Sequence, residues 1–441
     1  MFEALPGFRE FYPEDFSRRL GLFDSWRRSL EICGFSEYDA GVLEPLDLYK
    51  EKSGEEIVEQ LFHFVDKGDR KVALRPEMTP TLARMIGAKA NALRRPVKWF
   101  NIGDHFRYER MQKGRTRCFT QLNVDILGDA GVTADVEAIY SLILVCKRLG
   151  LTGEQFVIRL SDRDIWLLAL ETANIQEDLR PQVLGVIDKV ERMSDEQSIE
   201  ALEKLISGRS KELFDVIQSM FAVESLDGLK SWFDGRENVA DEIRERIASR
   251  LEEWRDLWEQ LNKLGCGEFL KLDFTIVRGL AYYTGFVFEA FEKGRRARAL
   301  AGGGRYDHLI EKLGGPDFPA VGWAMGDVTM TDCLDHHGLL PSHETPIRVF
   351  AVMEDESRET AMKIVAKLRE SGVSMVYSHK KAGFGKQLKE ATQWNCQYAL
   401  VMGSSEMAIG KVLVRNLEDR SEESIGINYL VQHFKKLGLA V

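Results

Sequence analysis

Chemically useful side chains are densest in "NIGDHFRYERMQKGRTRCFTQLNVDILG", residues 101–128. Two strand-like runs flank a loop that contains Arg110, Lys113, Arg115 and Arg117, and Arg107 lies inside the first run. In the second run Leu122, Val124 and Ile126 alternate with polar residues, which predicts one apolar and one polar strand face. The polar residues are Gln121, Asn123 and Asp125. A polar face beside a basic hairpin predicts a cleft for a small ligand that carries phosphates, with a solvated hairpin as the alternative.

Two further segments combine an apolar run with residues suited to ligand binding. "VALRPEMTP" brings Glu77 and Thr79 directly after such a run, although a surface turn is the default interpretation of this segment taken alone. "LAGGGRYDHLIEKLGG" contains three consecutive glycines, Gly302 to Gly304, which let a backbone approach a ligand closely. The segment has neither the Walker nor the Rossmann spacing. An ordinary glycine-rich turn is its alternative.

"VRGLAYYTGFVFEAF", residues 277–291, has the composition of a half-buried strand. It nevertheless opens on Arg278 and sets Tyr282 beside Tyr283. On a regular strand the two tyrosines point to opposite faces, so at most one would face a ligand directly. A structural ion pair is the alternative for Arg278, and a core phenol is the alternative for Tyr282.

The elements that must position these residues form an α+β pattern. The first 160 residues alternate amphipathic helices with strand runs joined by short links. Residues 164–264 are rich in charged residues and have a helical pattern with almost no strand signal, which predicts a helical insertion. The strand pattern resumes at "GEFLKLDFTIV". We expect a catalytic domain over 1–335 with that interruption, a linker over 336–346, and a small α/β domain over 347–441 with a mostly parallel sheet.

Composition excludes several classes of protein. The 441 residues are 44% hydrophobic and 29% charged, and no apolar run approaches the roughly 20 residues that cross a bilayer. The first residues lack a signal-peptide pattern, so we expect a cytoplasmic protein. Six scattered cysteines favour free thiols over a disulfide framework or a zinc site. The net charge of −10 argues against general coating of nucleic acid but allows a local basic surface.

Taken together, these segments resemble the class II aminoacyl-tRNA synthetases and, among them, the histidyl-tRNA synthetases. The resemblance rests on "LRPEMTP", "FRYERMQKGRTRCFTQLNVDILG", "RGLAYYTGFVFEAF", "AGGGRYDHLIEKLGG" and "GKQLKEA", and it covers the chain apart from the helical insertion. It implies a six-stranded antiparallel sheet flanked by helices, a homodimer and a C-terminal anticodon-binding domain. The implied substrates are histidine, ATP and tRNA(His), with Mg²⁺ held mainly by the ATP phosphates and no dedicated protein metal site.

The resemblance also implies a role for each candidate residue. Arg107 and Arg278 would converge on the α-phosphorus of ATP, where negative charge accumulates in the transition state. The histidine site would comprise Glu77, Thr79, Gln121, Asp125, Tyr282, Tyr283 and Tyr306. The ATP site would comprise Arg107, Glu109, Arg115, Phe119 and Arg278. Within it Phe119 stacks on adenine, Glu109 hydrogen-bonds it and Arg115 contacts the outer phosphates. In the tail, Lys380, Lys381, Lys386 and Lys389 form a basic surface suited to tRNA phosphates.

The sequence departs from the family pattern at three places. The last catalytic motif commonly ends with an arginine that reaches the γ-phosphate, whereas here it reads Asp327, Val328, Thr329, Met330. Asp125 stands where Glu is usual, and Ala281 stands where Asp is frequent. We interpret the absent arginine and Ala281 as marks of a subgroup that includes plant organellar enzymes. The rival hypotheses are a histidine-binding regulatory paralogue, such as the accessory subunit of ATP phosphoribosyltransferase, and a tRNA sensor attached to a kinase.

Overall fold

The structure, a computed structural model, describes residues 2–53, 55–110, 114–277, 282–295, 298–342 and 347–440, with the backbone alone for 51–53 and 55–57. The chain divides into two compact units, and the boundary between them falls at residues 343 and 344. The catalytic-type residues predicted from the sequence all belong to the first unit.

The strands of the first unit form an eight-stranded and a three-stranded sheet. In chain order they are β1 (Ser36–Glu37), β2 (Leu43–Pro45), β3 (His63–Val65), β4 (Lys71–Leu74), β5 (Val97–Phe106), β6 (Cys118–Leu127), β7 (Phe156–Asp162), β8 (Leu270–Leu272), β9 (Phe286–Glu292), β10 (Ala301–Arg305) and β11 (Ala320–Gly326). The three-stranded sheet is antiparallel, in the order β2, β4, β3.

The helices of the first unit flank these sheets. They are α1 (Pro13–Ile32), α2 (Leu46–Ser53), α3 (Thr79–Lys89), α4 (Val132–Arg148), α5 (Arg163–Thr172), α6 (Arg180–Ile187), α7 (Asp195–Glu203), α8 (Ser210–Phe221), α9 (Leu226–Asp234), α10 (Asp241–Lys263), α11 (Leu309–Lys312) and α12 (Asp327–His336). In the described ranges, no helix is long and apolar enough to cross a membrane.

The large sheet has the order β1, β5, β6, β11, β10, β9, β7, β8. Its six inner strands pair antiparallel, and β1 and β8 pair parallel at the two edges. The α+β class and the antiparallel sheet predicted from the sequence are therefore confirmed. The two short edge strands are an addition, which their lengths of two and three residues made too weak to recognise from sequence.

Six helices, α5 to α10, occupy the chain between β7 and β8. Asp162, at the end of β7, caps α5 by accepting the backbone N–H groups of Asp164 and Ile165 at 2.8 and 3.3 Å. Its second oxygen accepts from Nε of Arg250 on α10 at 2.7 Å. One buried carboxylate therefore ties the first and the last of these helices to the sheet.

The helices between β7 and β8 share one apolar core with the sheet. Trp166 of α5 and Trp254 of α10 are fully buried in the same cluster as Ile139 and Leu142 of α4. Buried aromatic side chains of this size contribute much of the hydrophobic stabilisation of a core. The helical segment is therefore packed as part of the first unit, in agreement with the division of the chain into two units.

The second unit is a five-stranded sheet with helices. Its elements are β12 (Val349–Met353), α13 (Arg358–Glu370), β13 (Met375–Tyr377), α14 (Phe384–Gln393), β14 (Tyr398–Met402), α15 (Ser404–Ala408), β15 (Lys411–Asn416), β16 (Glu422–Gly426) and α16 (Leu430–Lys436). In the order β13, β12, β14, β15, β16, two pairings are parallel and two are antiparallel. The expectation of a mostly parallel sheet is wrong, because β15 runs antiparallel to β14 and also to β16, with which it forms a hairpin.

Candidate active site

Two neighbouring clefts open on the large sheet. The small cleft has a volume of about 110 Å³, below the roughly 300–1,000 Å³ of pockets for drug-sized ligands, and therefore suits a ligand the size of an amino acid. Its wall contains every residue predicted for the histidine site: Glu77, Thr79, Gln121, Asp125, Tyr282, Tyr283 and Tyr306. The large cleft has a volume of about 600 Å³, and its wall contains Glu109, Arg115 and Phe119. Arg107 and Gln121 line both clefts.

Strand β6 supplies the floor of the small cleft. Gln121, Asn123 and Asp125 face the cleft, while the intervening Leu122, Val124 and Ile126 are at most 3% exposed in the core behind it. Strand alternation produces this division without any help from tertiary structure.

Asp125 and Tyr306 form a hydrogen-bonded pair in the wall of the small cleft. The Tyr306 hydroxyl donates to Oδ1 of Asp125, and both residues are almost completely buried. Burial and the adjacent carboxylate hold the pKa of Tyr306 well above its ordinary value. The phenol therefore stays protonated at physiological pH and orients the carboxylate as a hydrogen-bond acceptor toward a ligand.

Glycine at position 322 is required for this arrangement. A Cβ built on Gly322 would lie 2.2 Å from Oδ1 of Asp125, which pairs with it across β6 and β11. In the glycine run that the sequence predicted to approach a ligand, only Gly302 lines the small cleft. A Cβ on Gly303 would lie 2.2 Å from the Gly322 carbonyl, so this residue serves sheet packing instead.

Both Tyr282 and Tyr283 line the small cleft, which contradicts the expectation that at most one could. The reason is that β9 begins only at Phe286, and the tyrosines precede it in a turn where strand alternation does not apply. Gly285, with φ of +70°, separates the turn from the strand. The two rings lie 4.6 Å apart between centroids, and Tyr282 meets Tyr306 edge-on at 6.1 Å.

The segment that carries Glu77 and leads to Thr79, the first residue of α3, is held by Arg75, whose role the sequence did not reveal. Arg75 is 2% exposed, and its Nε donates to the Asp104 carbonyl on β5 at 3.0 Å. Its Nη1 donates to the Ala40 carbonyl at 3.0 Å. These bonds fix the segment between β4 and α3 against the sheet, so that Glu77 and Thr79 reach the cleft wall.

Arg107 lies where the two clefts meet. Its Nε donates to the Pro76 carbonyl at 3.0 Å, and its guanidinium carbon lies 5.2 Å from the centroid of the Phe119 ring. A guanidinium held between a carbonyl and an aromatic face presents its remaining N–H groups in a fixed direction. The residue is thus prepared to contact an anionic group shared by ligands in both clefts.

The large cleft combines an aromatic face with charged groups. Phe119 stacks on the buried His105 across β5 and β6 at 5.9 Å, and burial with the charges of Arg75 and Arg107 lowers the pKa of His105 to about 3. Glu109 forms an ion pair with Arg115 at 2.5 Å. The remaining charged lining residues in the described ranges are Arg192, Glu289 and Arg298, which sequence reasoning did not identify. Of these three, only Arg298 lies in a recognisable sequence pattern, the arginine-rich "GRRAR" before the glycine run.

Arg278 and Ala281 lie outside the described residues. The predicted convergence of Arg107 and Arg278 on one phosphorus therefore stays a prediction.

Asp327, at the first departure from the family pattern, is turned away from both clefts. It is 2% exposed, accepts from Nη2 of Arg9 at 2.8 Å and accepts from the Thr120 backbone N–H at 3.1 Å. It therefore joins the N-terminal segment to β6 at the start of α12. Val328 and Thr329 line the large cleft, and Met330 is buried.

In the second unit, the "GKQLKEA" segment lies on α14. Gln387 is 2% exposed, and its side-chain amide exchanges hydrogen bonds with the backbone of Met353 on β12 at 2.7 and 3.1 Å. This anchors α14 to the sheet. The four lysines predicted as a basic surface are all exposed: Lys380, Lys381, Lys386 and Lys389.

Comparison with known proteins agrees with this geometry. The family model for histidyl-tRNA synthetase matches residues 7–328, and the model for an anticodon-binding domain matches residues 341–437. The chain is 45% identical over 425 residues to "Histidine--tRNA ligase" of Opitutus terrae, with 96% of each chain covered. It is 35% identical to "Histidine--tRNA ligase, chloroplastic/mitochondrial" of Arabidopsis thaliana, with 96% of this chain and 85% of that protein covered.

The crystal structure of histidyl-tRNA synthetase from Nostoc sp. PCC 7120 has the same fold, with a TM-score of 0.77, 24% identity and 99% of both chains covered.

Proposed function

The chain belongs to the histidyl-tRNA synthetase family, and from this we infer that it is a histidine–tRNA ligase. It activates histidine with ATP to histidyl-adenylate and transfers the histidyl group to the 3′ end of tRNA(His). In the first step a carboxylate oxygen of histidine attacks the α-phosphorus, a new O–P bond forms, and pyrophosphate leaves. In the second step the tRNA hydroxyl displaces AMP from the acyl carbon.

The observation that carries this proposal is the shared wall of the two clefts. A histidine in the small cleft and an ATP in the large cleft bring carboxylate and α-phosphate together at Arg107 and Gln121. A fixed guanidinium at that point stabilises the negative charge that develops at phosphorus. We propose that Arg278 supplies a second such charge, as the family pattern implies.

The histidine site is proposed to read the imidazole by its two different ring nitrogens. In the neutral ring one nitrogen donates and the other accepts. Asp125, oriented by Tyr306, accepts from the first, and the Tyr283 hydroxyl reaches the second, with Tyr282 closing the wall. Glu77, Thr79 and Gln121 bind the substrate ammonium.

In the nucleotide site, we propose that Phe119 stacks on adenine, Glu109 hydrogen-bonds it and Arg115 contacts the outer phosphates. Mg²⁺ arrives on those phosphates. Glu289 in the wall of the large cleft offers the kind of oxygen ligand that this ion prefers, so the residues present are compatible with it. When bound, the ion neutralises phosphate charge.

The departures at positions 327 to 330 and at Ala281 are proposed to mark a subgroup of the family. The ion pair of the buried Asp327 with the partly exposed Arg9 supports this, because Asp327 then has a structural role where the family usually has a phosphate-binding segment.

The domain assignment is also proposed: a catalytic domain over 1–335 with a helical insertion over 164–264, a linker over 336–346, and an anticodon-binding domain over 347–441. We further propose that the protein is a cytoplasmic homodimer and binds tRNA(His) partly through the exposed lysines near α14.

The rival function is a regulatory paralogue that binds histidine without catalysis. A match to an anticodon-binding domain over 341–437 disfavours this, since such paralogues typically lack that domain.

The decisive measurement is histidine-dependent exchange of pyrophosphate into ATP, followed by charging of a tRNA(His) transcript. We expect exchange with histidine and none with other amino acids. Histidine binding without exchange would favour the regulatory paralogue instead.

A further inference from the structure

The wall of the large cleft contains three arginines from three separate parts of the chain, in addition to Arg107. Arg115 follows β5, Arg298 precedes β10, and Arg192 lies between α6 and α7 in the helical segment. With Arg107 they make four arginines against two glutamates among the described charged residues of the wall. A concentration of guanidinium groups of this kind suits a polyphosphate, because each fork donates to two phosphate oxygens.

Arg298 lies beside the segment where the family's usual arginine is absent. A Cβ built on Gly114 would lie 3.7 Å from Cδ of Arg298 and 4.0 Å from Cγ2 of Thr329. The stem of Arg298 and the Thr329 side chain therefore flank the same glycine of the β5–β6 hairpin, and both line the large cleft. Thr329, whose side chain is too short to reach a phosphate, therefore has the longer, cationic side chain of Arg298 as a neighbour.

Arg192 is presented to the cleft by a short, anchored turn. The turn Val190–Arg192 is fixed to the core by Val190, which is 7% exposed, while Arg192 itself is exposed. The pKa of Arg298 is lowered, mainly by partial burial and further by the positive charges of Arg115 and Arg192, while Glu109 acts in the opposite direction. The three guanidinium groups are therefore close enough to interact electrostatically. An arginine in this field remains charged at physiological pH.

We propose that Arg298 and Arg192, together with Arg115, hold the β- and γ-phosphates of ATP, and that they replace the arginine absent from positions 327 to 330. This rests on the proposed function. It also gives the helical insertion a part in catalysis, because Arg192 lies within it.

The test compares ATP with AMP, since AMP lacks the two outer phosphates. The variants are Arg298→Ala, Arg298→Lys and Arg192→Ala, with Lys189→Ala as the matched control, an exposed cation three residues from Arg192. We expect Arg298→Ala to raise KM for ATP in the exchange reaction about 10- to 100-fold, as loss of charged hydrogen bonds would do. The KM for histidine and the inhibition constant of AMP should stay within about twofold of wild type.

Arg192→Ala should show a smaller change in the same direction, Arg298→Lys should recover part of the loss, and Lys189→Ala should match wild type. An unchanged KM for ATP in Arg298→Ala would overturn the proposal. Equal weakening of ATP and AMP would also overturn it, because Arg298 would then act on the nucleoside part of the ligand. If wild-type protein binds ATP and histidine but shows no exchange, the proposed function fails, and ATP-versus-AMP binding by calorimetry still tests the phosphate site.

Discussion

Tyr306, just after β10, donates its hydroxyl to Asp125 on β6, although the two residues are 181 positions apart in the chain. The pair orients a buried carboxylate toward the small cleft. Tyr306→Phe removes the donor, and we expect KM for histidine to rise about tenfold, because an underbonded buried acceptor costs about 1–3 kcal/mol. KM for ATP should not change. Tyr429→Phe, at an exposed tyrosine, is the control, and equal KM values for histidine in both variants would show that the hydroxyl is not needed.

Arg107 at the junction of the clefts should carry the largest effect on rate. Arg107→Ala should lower the exchange rate about 100-fold or more, because it removes a fixed charge from the transition state. Binding of histidine alone should weaken by a smaller factor, because in the ground state Arg107 contacts only the substrate carboxylate. Arg94→Ala, which removes an exposed arginine outside both clefts, serves as the control. A rate of Arg107→Ala within a few-fold of that control would remove Arg107 from the mechanism.

Gly322 should tolerate no side chain. Its Cβ would lie 2.2 Å from Asp125 Oδ1 and 2.6 Å from the Val124 carbonyl, so Gly322→Ala must displace the carboxylate or the strand. Overpacking of this kind costs about 1–3 kcal/mol. We expect weaker histidine binding, measured by calorimetry, and a lower melting temperature. Gly185→Ala, in α6 with nothing within 4 Å of the added methyl, should be neutral or stabilising; similar behaviour of the two variants would contradict the steric argument.

His105 should make the protein sensitive to acid. Its pKa is about 3 in the folded state against about 6.5 in an unfolded chain, so between these values the unfolded state binds more protons and stability rises with pH. Relative to neutral pH, the contribution lost at pH 4.5 is on the order of 2–3 kcal/mol. His105→Phe keeps a ring beside Phe119 and should lose less free energy of unfolding between pH 7.5 and 4.5 in urea titrations. Identical losses in both proteins would show that His105 does not titrate in this range on unfolding.

The lysines of α14 should affect tRNA and not adenylation. Lys386→Ala with Lys389→Ala should weaken tRNA(His) binding and reduce the slope of log K against log salt by about 1 to 2, because two phosphate contacts are lost. Exchange without tRNA should be unchanged. Lys411→Ala, an exposed lysine on β15, is the control. An unaltered salt slope in the double variant would exclude α14 from the tRNA interface.

The local sequence pattern was sufficient to predict secondary structure wherever a segment followed a single periodicity, either that of a strand or that of a helix. The polar face of β6 followed from alternation alone, since neighbouring side chains on a strand must point to opposite faces. The helical segment between β7 and β8 was likewise predictable, because its charged, helical pattern has no competing strand pattern. The individual roles of Glu77, Thr79 and the tyrosines came from resemblance to a family, because isolated short motifs do not specify a ligand.

What only the tertiary structure decided is how distant segments meet. The turn before β9 lets both Tyr282 and Tyr283 face one cleft, whereas on a regular strand they would point to opposite faces. The supporting roles of Arg75 and Asp327 likewise became visible only through their burial and their hydrogen bonds to distant parts of the chain. Arg192 lines the large cleft because Val190, in the same turn, is buried in the core of the first unit. The local sequence determines which face of a strand or helix is polar. Contacts between residues far apart in the chain depend on how the whole core packs, and local periodicity carries no information about that packing.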